Sequence, residues 1–263
     1  TGGQVDYLRF PSETLAAGTI VFSNNVNYLL SGSKLGTAAK FIKRGAGALT
    51  INTNLHTFAG DMLIEGGELI ADADNDVADG FYGTLGNPRV ARTITVTNGA
   101  ALTFKNLNAF GGGGTSANRV LATLNIVGGT LNLNRDFCNS LGPVIFDNAT
   151  LTYSGGLFSY GPTLQARDWS NGARFWGTAL FGSNVVFRGT NVYTFAVAGN
   201  EFKCGFTFGK YEPSDLTVAD ITGNANSDVI FALPIGHTPT PSGYGSGVNT
   251  RFNKKGPGTL ELA

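Results

Sequence analysis

The densest group of side chains that could do chemistry is an acidic run in the first third of the chain. Oxygen ligands at alternating positions suit a hard cation such as Ca²⁺. The run departs from an EF-hand, because Val77 stands where that loop needs glycine and Gly83 where it needs a bidentate glutamate. Two interpretations stay open, a calcium site and a solvated loop inserted between two strands, and we favour the loop. The acidic residues are Asp72, Asp74, Asp76 and Asp79.

Histidine is the other residue type with ready chemistry, and the chain has two, His56 and His237. Neither stands in a metal-binding or triad pattern, and no two acids have a spacing that places them across a glycosidic bond. The sequence also lacks a nucleophile elbow, a phosphate-binding loop and a zinc pattern. We therefore predict that the protein is not an enzyme and needs no cofactor, apart from the calcium hypothesis.

The two cysteines give an open question about disulfide pairing. Cys204 follows Cys138 by 66 residues. A disulfide needs α-carbons roughly 4.4 to 6.8 Å apart, so a bond within the chain requires unusually long coils or a loop that folds back. An intramolecular bond, two buried thiols and an interchain bond all remain open.

Aromatic side chains concentrate in residues 158–181, where Trp169 and Trp176 are the two tryptophans of the chain. Sugars stack on exposed rings, so one interpretation is a surface that binds glycans. The other is core or subunit packing, which we favour because aromatic rings also fill protein interiors and interfaces.

The charge balance argues against nucleic acid and anionic membranes as main partners. The chain has 18 basic and 18 acidic residues and no basic stripe. The densest basic cluster is Lys40, Lys43 and Arg44, which we interpret as a solvated corner that charge keeps from pairing, with a polyanion contact as the alternative. No apolar run approaches the roughly 18 residues of a transmembrane helix.

The elements that would position these groups are short strands between glycine corners. One phrase occurs twice, at residues 41–51 and 252–262, with a Lys-x-Gly-x-Gly core in each copy. Between the copies, a glycine or asparagine corner is followed by alternating apolar and polar residues, which is the strand pattern. These corners are Gly66-Gly67, Asn98-Gly99, Gly128-Gly129 and Asp147-Asn148.

These phrases resemble the autotransporter-associated β-strand repeat family of secreted bacterial passenger proteins. The resemblance rests on the cores at 43–49 and 254–260, on the run 57–69, and on Leu85-Gly86 followed by 93–102. It implies an all-β fold, a right-handed parallel β-helix or β-solenoid with loop insertions. It also implies an extracellular location or one on the bacterial cell surface.

We predict one β-solenoid domain over residues 1–263, with an inserted or irregular region at about 157–210. Coils of about 20 to 25 residues, each adding about 4.8 Å, would give about ten coils and a rod of roughly 50 Å. The repeat-like phrases lie at 41–70, 93–104, 124–133, 145–153 and 252–263.

The function predicted from these features is structural: a rigid β-solenoid building block that associates end to end into a filament or long surface fibre. Exposed strand edges accept further strands, and a head-to-tail contact that does not close gives a filament. The alternatives are a fragment of a longer passenger, a carbohydrate-binding adhesin that contacts surface glycans, and a less favoured polysaccharide lyase or hydrolase. The predicted assembly interface is Thr1, Gly2, Gly3, Gly258, Thr259, Leu260, Glu261 and Leu262.

Overall fold

The structure of the 263-residue chain is a computed structural model. Every regular element among the described residues is a β-strand. No helix that could span a bilayer occurs among them. The structure describes residues 5–9, 14–15, 18–32, 34–36, 40–53, 56–73, 82–97, 99–105, 109–110, 120–133, 139–152, 179–181, 184–196, 206–208, 213–232, 235 and 251–263.

The strands are short, with two to five residues each, and corners or loops separate them. In chain order they are β1 (Val5–Arg9), β2 (Thr14–Leu15), β3 (Thr19–Ser23), β4 (Asn27–Ser31), β5 (Lys34–Leu35), β6 (Lys40–Arg44), β7 (Ala48–Ile51), β8 (Asp61–Ile64), β9 (Gly67–Ala71), β10 (Thr93–Val96), β11 (Ala100–Phe104), β12 (Thr123–Val127), β13 (Thr130–Leu133), β14 (Asn139–Leu141), β15 (Val144–Asp147), β16 (Thr150–Thr152), β17 (Ala179–Phe181), β18 (Val185–Arg188), β19 (Tyr193–Ala196), β20 (Phe206–Phe208), β21 (Ser214–Val218), β22 (Val229–Ala232), β23 (Phe252–Lys255) and β24 (Leu260–Leu262).

The strands stack into parallel sheets, because successive turns of the chain add their strands beside those of the turn before. The first sheet has nine strands, in the order β3, β6, β8, β10, β12, β15, β18, β21, β23. The second sheet contains β1, β4, β7, β9, β11, β13 and β16, and a three-stranded sheet of β19, β22 and β24 follows in the later coils. The remaining sheets are β2–β5 and β14–β17–β20. All of these pairings are parallel, so the architecture is the predicted all-β parallel β-solenoid.

The core is a set of columns that run from coil to coil through the interior. Side chains along each strand alternate between inside and outside, and parallel register places inward residues of successive coils on top of one another. Burying one such Leu, Ile, Val or Phe side chain contributes about 1.5–3 kcal/mol. One fully buried column consists of Phe41, Met62, Ile94, Leu124, Val144, Val185 and Leu216.

The corners between the first and second sheets use the left-handed backbone region, as the sequence predicted. The backbone angle φ is 61° at Gly67, 78° at Gly99, 66° at Gly128 and 49° at Asn148. Glycine adopts this region at little cost, and asparagine is the side chain that most often tolerates it. The predicted glycine and asparagine corners are therefore confirmed.

The predicted coil length is correct for only part of the chain. Val21 pairs with Ile42, 21 residues later, whereas Ile145 pairs with Val186, 41 residues later. The extra residues lie between the strands, so the strand register continues across coils of unequal length. The nine strands of the first sheet span roughly 40 Å at about 4.8 Å per strand. Within 157–210, β18 belongs to the first sheet and pairs with β15 and β21.

Candidate functional site

The repeated Lys-x-Gly-x-Gly phrase forms a corner in which the lysine side chain turns inward. Lys43 ends up fully buried, in phase with Phe41 on β6. Its Nζ donates hydrogen bonds to the carbonyl oxygens of Arg44 at 2.8 Å and Gly45 at 3.1 Å, and to that of Gly66 in the next coil at 3.1 Å. The side chain therefore joins the corners of two successive coils.

The three carbonyl oxygens replace the water that Lys43 loses on burial. An ammonium group has three donors, and here each of them has an acceptor. Burial lowers the pKa of Lys43, because a low-dielectric surrounding disfavours the charged form. The prediction of a solvated basic cluster is thus wrong for Lys43, although Lys40 and Arg44 are exposed. The inward phase that Lys43 shares with Phe41 was the sequence signal for its burial.

The two glycines of the phrase allow the corner to lie directly on the backbone of the preceding coil. A Cβ atom on Gly45 would lie 2.3 Å from the carbonyl oxygen of Asn24, and one on Gly47 would lie 2.1 Å from that of Val26. The Gly47 amide also donates to the Asn24 carbonyl at 2.9 Å. Both glycines are therefore required by close contact between coils.

The second copy of the phrase folds into the same kind of corner. Lys254 Nζ donates to the Gly256 carbonyl at 2.7 Å, and Gly256 has a φ of 78°, close to the 79° of Gly45. A Cβ atom on Gly258 would lie 2.0 Å from the Ala219 carbonyl oxygen. The difference is that Lys254 is exposed and bonds to this one carbonyl, whereas Lys43 bonds to three.

The second copy also differs in strand register. Lys254 pairs with Leu216, whose interior column leads back to Phe41 and not to Lys43. Strand β23 is thus displaced by two residues relative to β6, and buried Ser214 lies beside Phe252 at its start. The corner geometry is kept although the register changes, which indicates that contact between the glycines and the preceding backbone determines the corner.

Strands β23 and β24 form an edge at which interior positions are exposed. Leu262 pairs with Phe231, which is 1% exposed, yet Leu262 itself is 61% exposed. Lys254 likewise follows the buried Leu216 in its column and is exposed. Among the described residues each of the two strands has a neighbour on one side only, β21 and β22 respectively.

The other residues of the predicted assembly interface fall into two groups. On the edge, Leu260 packs against the core, Thr259 donates its amide to Asp228 Oδ2 at 2.7 Å, and Glu261 Oε2 accepts from Ser227 Oγ at 2.6 Å. The segment Thr1-Gly2-Gly3 lies outside the described residues, so its part in assembly stays a prediction. Trp169 and Trp176, proposed to contact a ligand or a subunit, also lie outside them, as do both cysteines.

Asp228 binds the backbone at the start of this edge, and the sequence did not predict a role for it. It is fully buried, and its Oδ1 accepts hydrogen bonds from the amides of Ile221 at 2.8 Å and Thr222 at 2.7 Å. Burial alone would raise the pKa of Asp228, but hydrogen bonds led by the Thr259 amide outweigh it and lower the pKa. Nothing in the sequence pattern distinguishes Asp228 from a solvated aspartate, because its partners come from a loop and from the next coil.

The candidate calcium site is only partly within the described residues. Asp72 Oδ2 accepts a hydrogen bond from Lys105 Nζ at 2.7 Å, whereas Asp74, Asp76 and Asp79 lie outside the described residues. Where side chains are described, no three His, Cys, Asp or Glu residues converge as metal ligands would. Calcium binding by this run therefore stays a prediction.

His56 is held inside the solenoid. Its ring is fully buried, and Nδ1 accepts a hydrogen bond from the Leu35 amide at 2.7 Å. Burial lowers the pKa of His56 to about 4, so the ring is neutral near pH 7. The other histidine, His237, lies outside the described residues.

No protein-family model, curated protein or solved structure matches this chain. The features of this chain that bear on function are therefore the lysine corners and the β23–β24 edge. These features are chemically suited to joining coils, because they combine strands that have one described neighbour each, exposed interior positions and a lysine ammonium group that bonds to one carbonyl.

Proposed function

We propose that this protein is a structural rod, a stack of parallel coils that associates end to end through its edge strands. The observation that carries the proposal is the exposure of Leu262 and Lys254, which continue columns that are buried in the preceding coils. An unpaired strand edge is a template for another strand, and burial of its interior positions favours the addition.

Contacts between successive coils support a stiff rod. On the outside, Arg44 pairs with Glu65 and Arg188 with Asp147 across neighbouring coils. Inside, the rings of Phe146 and Phe187 stack with centroids 5.2 Å apart. Because coils in a solenoid contact mainly their neighbours, such contacts are what transmit force along the stack.

The parallel arrangement favours a head-to-tail contact. The described first sheet has β3 at one edge and β23 at the other, and in a parallel sheet the backbone groups along one edge are complementary to those along the other. A contact between two different surfaces produces an open filament unless rotation closes a ring. The resemblance to repeats of secreted passenger proteins supports a place outside the cell or on the bacterial surface.

The test is negative-stain electron microscopy of the native chain over a concentration series. We expect particles of uniform width whose length increases with concentration. Leu262→Lys places a charge at the edge and should abolish long particles. The matched control is Val127→Lys, because Val127 is also an exposed aliphatic residue, at 37%, but lies on β12 in the middle of the stack.

Short particles at every concentration would contradict the proposal. So would equal loss of long particles in both variants, because that result would mean lateral or non-specific association. Thermal unfolding of the variants should show that both still fold.

A further inference from the structure

We infer that the β23–β24 edge recognises one kind of polypeptide, two short strands joined by a glycine corner, and that Lys254 binds the carbonyl of that corner. This inference rests on the proposed function and specifies the partner that the edge accepts. The partner is a segment with the pattern of β8, Gly66-Gly67 and β9, from which the contact geometry can be derived.

The internal precedent is the way β8 and β9 cover β6 and β7. Met62 pairs with Phe41 in the first sheet, and Leu69 pairs with Leu49 in the second. Between the two strands, the Gly66 carbonyl accepts from Lys43 Nζ at 3.1 Å. The corner thus fixes the incoming segment by a charge-assisted hydrogen bond, while the strands on each side add ladder bonds and buried apolar side chains.

The β23–β24 edge offers a lysine corner, two strand edges and apolar side chains of the same kind, and no described strand covers them. Lys254 Nζ already binds the Gly256 carbonyl of its own corner, as Lys43 binds that of Gly45. Its two further donors correspond to those that Lys43 uses on Arg44 and Gly66. Leu262 and the partly buried Leu260 supply the apolar interior on which an incoming strand would pack.

Steric constraints make glycine a requirement for the incoming corner. Gly67 has a φ of 61°, and a Cβ atom there would lie 2.4 Å from the Gly47 carbonyl oxygen. The preceding corner at Gly256 to Gly258 has the same close-packed form, because a Cβ on Gly256 would lie 2.4 Å from the Val218 carbonyl oxygen. A segment with a side chain at that position would be held away from Lys254.

The experiment uses a fluorescent peptide with the sequence of residues 57–71, titrated with the full chain and followed by fluorescence anisotropy. We expect saturable binding that Lys254→Met weakens about tenfold or more, which is the loss of one charge-assisted hydrogen bond. Lys255→Met is the matched control, since Lys255 is exposed on the same strand but points to its other face. It should leave the affinity unchanged.

A second peptide carrying Gly67→Ala tests the requirement for a glycine corner and should bind at least tenfold more weakly. Equal binding to the Lys254→Met and native chains would overturn the inference, as would no binding of the native peptide at millimolar concentration. Filaments that form while the peptide fails to bind would leave the proposed function in place and remove this inference alone. Peptide binding without filaments would leave this inference in place and contradict the proposed function.

Discussion

Single residues in this protein show how a solenoid uses buried polar groups as links between backbone segments. Besides Lys43 and Asp228, Arg92 is almost buried, and its guanidinium donates to the Gly60 carbonyl at 3.0 Å and to the Leu85 carbonyl. Burial lowers the pKa of Arg92 to about 10, which leaves it charged near pH 7. A buried charge is tolerated when hydrogen bonds replace its hydration. Each of these groups therefore holds backbone segments in place.

His56 gives a prediction about pH at this scale. Its pKa is about 4 in the folded chain, against the ordinary value of 6.5, because of burial and, to a smaller extent, the charge of Lys34. As pH falls from about 7 to about 4, the unfolded chain binds a proton that the folded chain resists. The free energy of unfolding should therefore decrease by about 3 kcal/mol over this window from His56 alone.

The measurement is urea unfolding at pH 7 and pH 4.5 of the native chain and of His56→Gln. Glutamine keeps an acceptor for the Leu35 amide but does not titrate in this range. The variant should lose clearly less stability between the two pH values. An identical loss in both proteins would show that His56 is not a buried neutral ring.

At the scale of elements, corners and strands differ in how far the sequence predicts them. The corners at Gly67, Gly99, Gly128 and Asn148 were readable, because left-handed backbone restricts the residue type and apolar alternation follows each one. Coil length could not be predicted from the sequence, since residues inserted between strands leave the pairing of those strands unchanged. The sequence also does not predict that β23 is displaced by two residues relative to β6. Both strands belong to the same Lys-x-Gly-x-Gly pattern, and the displacement is visible only in the pairing of β23 with β21.

The sequence predicted where the candidate site lies along the chain, but it did not predict the contacts that Lys43 makes there. The repeated phrase marks residues 41–51 and 252–262 in the sequence. The interpretation of Lys43 as a surface charge is wrong, because its inward position, in phase with Phe41, buries it despite the general preference of lysine for solvent. The carbonyl of Gly66 that receives Lys43 belongs to the next coil, 23 residues later, and no local pattern specifies such a contact.

The corners give a prediction in which two glycines with the same backbone angle should respond differently to alanine. Gly45 and Gly99 have φ values of 79° and 78°. A Cβ atom on Gly45 would lie 2.3 Å from the Asn24 carbonyl oxygen, whereas a Cβ atom on Gly99 would have no other atom within 4 Å. Gly99→Ala should cost about 1–2 kcal/mol, the price of a left-handed alanine. Gly45→Ala should cost about 1–3 kcal/mol more, from overpacking against the neighbouring coil.

The free energies of unfolding of both variants, from denaturant titration, measure this difference. Equal destabilisation would mean that the coils can separate at the corner without loss. The Lys-x-Gly-x-Gly phrase would then be a turn sequence only and not a device that holds two coils together.

At the scale of the whole molecule, the chain is a one-dimensional stack whose stability comes from contacts between successive coils. The interior columns, the lysine corner and the outer ion pairs all connect one coil to the next. The two edges of the first sheet, β3 and β23, present backbone groups of the kind that are paired inside it. The proposed end-to-end association would use the same kinds of interaction that join successive coils within the chain.

The central claim is that molecules join end to end and continue the stack. The most direct test is fibre diffraction from oriented particles of the native chain. The account predicts a strong reflection near 4.8 Å along the fibre axis, because strands lie across the axis and coils succeed one another along it. The 4.8 Å reflection perpendicular to the fibre axis would contradict the account, since it would mean that the rods associate side by side.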